Sequence, residues 1–197
     1  MKKFLPVFIV AFIAVILGAA GYNFIHAGVV AREGPYGGPL DLVTMDGKPF
    51  TEKDMRAAPA IVFFGYTHCP DVCPTTLYEL DGWLKKLGPE GQNLHAYFIT
   101  VDPERDTVGV MKTYVSNVSK RIVGITGTPN NIAAALKSWH IYSKKVPGSD
   151  GDYTMDHTAS VFLLDRGGRF RGTITYEENA DTAMQKLKNL AKAAANG

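Results

Sequence analysis

Hydrophobic and polar positions divide the chain into segments of clearly different period. The first, "FLPVFIVAFIAVILGAAGYNFI" from Phe4 to Ile25, is apolar and carries no charge. About 20 apolar residues, rising roughly 1.5 Å each in a helix, span the hydrocarbon core of a bilayer. That is longer than the roughly 7–15 apolar residues of a cleaved signal peptide. Lys2 and Lys3 precede the run, and basic flanks favour the cytoplasmic side. The segment therefore reads as an uncleaved single-pass anchor over residues 1–31, although Gly18-Ala19-Ala20 resembles a cleavage site. The remainder would lie outside the cytoplasm. "REGPYGG", Arg32 to Gly38, reads as flexible tether, which places a linker at 32–39.

From Leu40 the pattern becomes that of a folded domain, residues 40–197. "LDLVTMDGKPFT" (40–51) alternates around Asp46-Gly47, a hairpin signal. "AIVFF" (60–64) is a continuous apolar run, as in a central strand buried on both faces. Leu77, Leu80, Trp83, Leu84 and Leu87 recur at helical spacing between Pro74 and Gly88-Pro89. A second buried strand follows at 94–102, then a helix from a cap at Asp106 to Val118. "RIVGIT" (121–126) predicts a third strand, and 128–140 a helix capped by Thr128 with Pro129 at its first position. "SVFLLD" and "FRGTITY", separated by Arg166-Gly167-Gly168-Arg169, predict an antiparallel hairpin, and 179–194 a last helix. Strand–helix alternation closed by an antiparallel pair predicts an α/β domain: a thioredoxin-like mixed sheet flanked by helices, with an N-terminal β-hairpin extension and a single N-terminal transmembrane helix.

Charge narrows the partners. The chain has 197 residues with 21 Lys and Arg against 19 Asp and Glu; setting aside Lys2 and Lys3 leaves 19 against 19. The exported part is formally neutral, with no basic stripe for nucleic acid.

The chemistry concentrates in "FFGYTHCPDVCPTTL" (63–77), which holds both cysteines of the chain, Cys69 and Cys73. Outside the cytoplasm a thiol pair tends to be oxidised. A bridge across so short a loop contributes only about 2 kcal/mol, however, which a domain of this size does not need. The residue before a proline is pushed out of the α region, so Cys73 fits the cap position, with Pro74 opening the helix. The partial positive charge and free N–H groups of a helix start favour thiolate. That environment suits a redox couple and a metal site equally, and spacing does not choose between them. For a metal, two thiolates and one imidazole form a soft three-donor set suited to copper. Of the five histidines, His26 falls at the anchor, His95 starts a strand, and His140 ends a helix. His68 adjoins Cys69 and tends to point away; His157 sits in a loop entering a buried strand, with Met155 nearby, a soft donor that more naturally packs.

Three blocks, "FGYTHCPDVCPTTL", "VDPERDT" (101–107) and "DHTASVFLLD" (156–165), closely resemble the signature segments of the Sco/SenC proteins. These are membrane-anchored, thioredoxin-fold copper proteins that help assemble the copper centre of cytochrome c oxidase. The resemblance runs from about Leu40 to Leu190 and includes the single amino-terminal anchor. It implies that Cys69, Cys73 and His157 bind one copper per chain, as Cu(I) or Cu(II). It also implies that Asp71 contributes local charge or partner contact, and that Asp156 orients or tunes His157. The implied protein is a copper chaperone of the bacterial inner membrane with its soluble domain on the periplasmic side. Its partners would be the copper-centre subunit of cytochrome c oxidase, a further copper chaperone and a periplasmic thiol reductase. Some members of the family suit disulfide reduction better than metal delivery, which would make Cys69 and Cys73 a redox-active catalytic pair. "VDPERDT" suggests no chemical role beyond a turn and helix capping by Asp106.

Overall fold

The computed structural model describes residues 34–148 and 151–195. The expected anchor, 1–31, lies outside them, and no helix among the described residues is long and apolar enough to cross a membrane.

The core is a seven-stranded mixed sheet. β1 (Leu42–Thr44) and β2 (Pro49–Phe50) form the expected amino-terminal hairpin, turning at Gly47 with a positive φ of 77°. A short helix, α1 (Glu52–Arg56), leads into β3 (Ala60–Gly65), which is buried along its whole length. Next come α2 (Val72–Leu87), a 3-10 turn (Gly88–Gly91), β4 (His95–Thr100), α3 (Val108–Val118), β5 (Ile122–Thr126) and α4 (Pro129–Ser138). β6 (Ser143–Pro147), β7 (Tyr153–His157), β8 (Val161–Leu164), β9 (Phe170–Ile174) and α5 (Ala180–Ala195) complete the chain. The strand order is β2-β1-β5-β4-β3-β8-β9. The central strands β3, β4 and β5 pair in parallel, while β1 and β8 pair antiparallel with β5 and β3 on either side, so the strand preceding the cysteines borders the parallel centre. The thioredoxin-like mixed sheet anticipated from the element order is present.

Four local expectations need correction. α2 begins at Val72 with Asp71 as its cap, two residues before Pro74. Proline is tolerated there because the first N–H groups of a helix have no intrahelical partner. Cys73 is thus inside the first turn, and its free N–H donates to Cys69 Sγ at 3.4 Å. α3 is capped by the Thr107 hydroxyl, which accepts from Val110 N–H, rather than by Asp106. Asp106 is fully buried, where its carboxylate accepts from Thr67 N–H and from the hydroxyls of Thr67 and Thr100. Tyr36, placed by composition in a flexible tether, is packed instead. Its ring stacks on Phe162 at 5.7 Å and meets Trp139 edge-on at 5.5 Å, while its hydroxyl donates to the Trp139 carbonyl. Finally, "SKKVP" and "YTMDH" form a hairpin, β6–β7, as a separate two-stranded sheet. His157 is the last residue of β7 and not part of a loop.

Candidate functional site

β3 ends at Gly65, and the chain turns through Tyr66, Thr67 and His68 to reach Cys69. Both cysteines are free thiols. Cys73 is fully buried, one wall of its pocket being Gly65; Cys69 is half-buried at the protein surface. His157 arrives from β7, where Tyr153, Met155 and His157 share the inward face while Thr154 and Asp156 are exposed, as the two-residue strand period requires. Met155 packs against the core.

Folding thus closes a gap of 84 residues: His157 Nε2 lies 3.6 Å from Cys73 Sγ. The other ring nitrogen, Nδ1, stands 2.9 Å from the Thr158 carbonyl. A carbonyl only accepts, so Nδ1 donates to it, and that bond fixes the ring with Nε2 facing the sulfurs. Tyr66 walls the ring edge-to-face, with centroids 5.7 Å apart. The orienting contact is therefore a backbone carbonyl. Asp156, on the outer face, sits across from Lys144 in the ladder. Asp71 is exposed at the start of α2, and its carboxylate accepts weakly from Thr75 Oγ1 at 3.5 Å.

The two thiols are driven apart in acidity. Cys69 is held far below the usual thiol range, chiefly because it accepts a hydrogen bond from the Cys73 thiol; burial opposes this, and hydrogen bonds from the His157 side chain and from the Cys73 and Asp71 N–H groups add to it. Cys73 is pushed up, because it donates that bond and because it is buried. One proton is shared between the sulfurs, with Cys69 as the thiolate. No group of three His, Cys, Asp or Glu side chains among the described residues is arranged as a ready-made metal cage. What stands there is a thiolate, a thiol and an imidazole within a few ångströms, the donor chemistry that suits a soft monovalent cation. The remaining histidines among the described residues are elsewhere: His95 bonds the Tyr97 hydroxyl, His140 is exposed with a positive φ of 53°, and His68 is turned to Thr67 Oγ1 at 3.1 Å, while His26 lies outside the described residues. Tyr66 and the Thr158 carbonyl were not legible as site groups in the sequence. Tyr66 ends an apolar run and reads as core, and a backbone oxygen leaves no residue-type signal.

Known proteins carry the same arrangement of elements. A sequence profile described as SCO1/SenC matches residues 30–192. The chain is 37% identical over 143 residues to the mitochondrial SCO1 homolog 1 of Arabidopsis thaliana, covering 69% of this chain and 43% of that protein. It is 30% identical over 155 residues to the SCO2-like protein of Rickettsia prowazekii, covering 78% and 76%. The chain spans about half the length of the mitochondrial relatives it matches, 43% to 60%. The solved structure of Bradyrhizobium japonicum ScoI with copper bound is similar at a TM-score of 0.73 and 45% identity, covering 79% of this chain and 99% of that one. A match across most of the folded domain leaves one conclusion: this chain belongs to the SCO1/SenC family.

Proposed function

We propose that this protein is a membrane-anchored, extracytoplasmic copper chaperone whose cargo is one copper ion, held by Cys69, Cys73 and His157 and passed to the copper centre of cytochrome c oxidase. The observation that carries the reading is the 3.6 Å approach of His157 Nε2 to Cys73 Sγ across 84 residues of chain. A redox couple alone has no need of an imidazole nitrogen held this close to its buried sulfur. The ScoI structure of B. japonicum, 45% identical, was solved with copper bound, which supports copper as the ion. Cys73 is the enclosed donor, and half-buried Cys69 and His157 are the ones open to an incoming partner ligand. The apolar run Phe4–Ile25 behind Lys2 and Lys3 supports a single-pass anchor in the bacterial inner membrane with the domain on the periplasmic side. Joining the sulfurs as a disulfide would remove both thiolates, so a periplasmic thiol reductase belongs to the scheme.

One observation favours a second role. A thiolate beside a protonated thiol, as in Cys69 and Cys73, is the starting state of a disulfide reductase acting on oxidase cysteines. A single substitution separates the two. The reduced full chain in detergent is titrated with Cu(I) against a chromophoric chelator, and insulin reduction is followed in parallel. The chaperone reading expects His157→Ala to weaken Cu(I) binding at least tenfold while leaving insulin reduction, if present, intact. Unchanged Cu(I) affinity removes His157 from the site and leaves the reductase.

A further inference from the structure

The strand that carries His157 has no ladder to the main sheet: β6 and β7 pair only with each other. A two-stranded hairpin is marginal by itself in water, so something else must hold His157 at its distance from the sulfurs. The contacts converge on the segment Val101–Thr107, to which the sequence assigned only a turn and helix capping by Asp106. Arg105 Nη1 donates to the Tyr153 carbonyl at 2.9 Å and to Asp152 Oδ1 at 3.0 Å, both at the start of β7. Its guanidinium lies 3.7 Å over the Tyr153 ring. The Tyr153 hydroxyl donates to buried Asp102 at 2.9 Å, and Asp102 also accepts from Arg105 Nε. One residue along, Glu104 pairs with Lys145 of β6 at 2.7 Å, and that ammonium covers the Tyr153 ring at 3.9 Å.

The same segment grips the cysteine loop. Asp106, the next residue, accepts from Thr67 N–H at 3.1 Å and from the Thr67 hydroxyl at 2.6 Å, two positions before Cys69. Seven residues of chain thus hold the thiol loop by one carboxylate and the imidazole hairpin by a guanidinium and two further carboxylates. Tyr153 and His157 share the inward face of β7, so fixing the first sets the register of the second.

We propose that Val101–Thr107 is a bracket that sets the separation between the His157 ring and the two sulfurs, and that Arg105 is its main positioning residue. This rests on the copper reading above. Arg105 touches neither the sulfurs nor the His157 ring; it acts on metal binding through the placement of His157, directly by β7 and also by its guanidinium 5.8 Å over the Tyr66 ring that walls the imidazole.

The test uses Arg105→Lys. A lysine keeps a positive charge beside buried Asp102, so the fold is retained, but one ammonium cannot reproduce the planar fork that reaches Asp102, Asp152 and the Tyr153 carbonyl together. Tyr153→Phe is the second variant, removing only the hydroxyl that holds Asp102. Cu(I) affinity is measured on the reduced full chain in detergent, with thermal unfolding as the control for structure. Groups that orient a metal ligand typically change metal affinity about 10–100-fold when removed. Arg105→Lys should therefore weaken Cu(I) binding at least tenfold at a nearly unchanged melting temperature, and Tyr153→Phe by a smaller factor in the same direction. In a His157→Ala background the Arg105→Lys effect should vanish, because the ring it positions is gone. Wild-type affinity in both single variants overturns the bracket, as does an undiminished Arg105 effect in the His157→Ala background. If His157→Ala itself binds Cu(I) like the wild type, the copper reading fails instead.

Discussion

Gly65 is the last residue of β3, and a side chain there would collide with the site. A Cβ at this position would stand 2.9 Å from Cys73 Sγ and 2.7 Å from Phe98 Cε2. Non-bonded heavy atoms sit comfortably at about 3.5–4.0 Å, so the sulfur or the ring must retreat by roughly 1 Å. Neither has slack, since Cys73 and Phe98 are both fully buried. Overpacking of this kind costs about 1–3 kcal/mol, and alanine returns about 0.4–1 kcal/mol by restricting the unfolded chain. Gly65→Ala should be destabilised by about 1–2 kcal/mol, which for a domain of this size lowers the melting temperature by about 2–8 °C. Gly82, midway along α2, is the matched control, because a Cβ there meets nothing within 4 Å. Gly82→Ala should gain about 0.5–1 kcal/mol. Thermal unfolding of the reduced chain gives both values, and Cu(I) affinity measured alongside should fall for Gly65→Ala only. A Gly65→Ala protein as stable as Gly82→Ala, or with wild-type affinity, would refute the packing described around Cys73.

Three further outcomes follow from the same geometry. Cys69, held as thiolate, should be alkylated by iodoacetamide at about pH 6, where an ordinary thiol is almost wholly protonated, while Cys73, raised and buried, should stay unlabelled; peptide mapping that finds Cys73 modified first contradicts the assignment. Asp106 has its pKa raised by burial, against hydrogen bonds from Thr100 and Thr67 that lower it. The folded state therefore binds its proton more tightly than the unfolded state, and stability is lost as pH rises from about 4 through the raised value. Denaturant midpoints of Asp106→Asn should lack that part of the decline, and parallel pH profiles would refute it. Removing the Tyr36 ring, which contacts Trp139, Phe162 and Phe170, should cost about 2–3 kcal/mol; a neutral Tyr36→Ala would return that residue to the tether.

The elements legible in the sequence are those whose apolar positions face one core. "AIVFF" could only be a strand covered on both sides, and Leu77, Leu80, Leu84 and Leu87 mark one face of α2. The β6–β7 hairpin escaped because its strands bury little: Ser143 is the half-buried member of β6, and β7 alternates only between half-buried and exposed. Its attachment is made by charge and hydrogen bonds at Arg105, Glu104 and Asp102, which no hydrophobic period reports. The same reason hid the role of Val101–Thr107. Tyr36 was lost among glycines and a proline that read as linker, its aromatic partners lying more than a hundred residues away. His157 was identifiable through the resemblance of its Asp-His block, and a lone polar histidine before a strand offered little else. The early start of α2 was hidden by Pro74, whose usual effect on the preceding residue is overridden where Cys73 N–H finds the Cys69 sulfur.

The central claim is that a distant imidazole and two neighbouring sulfurs together hold one soft cation. X-ray absorption at the copper edge of the reduced, Cu(I)-loaded full chain tests it directly. The expected spectrum shows one copper per chain with two sulfur neighbours and one imidazole nitrogen, the nitrogen disappearing in His157→Ala. A copper bound by sulfur alone in the wild type, or an imidazole signal that survives the substitution, would contradict it.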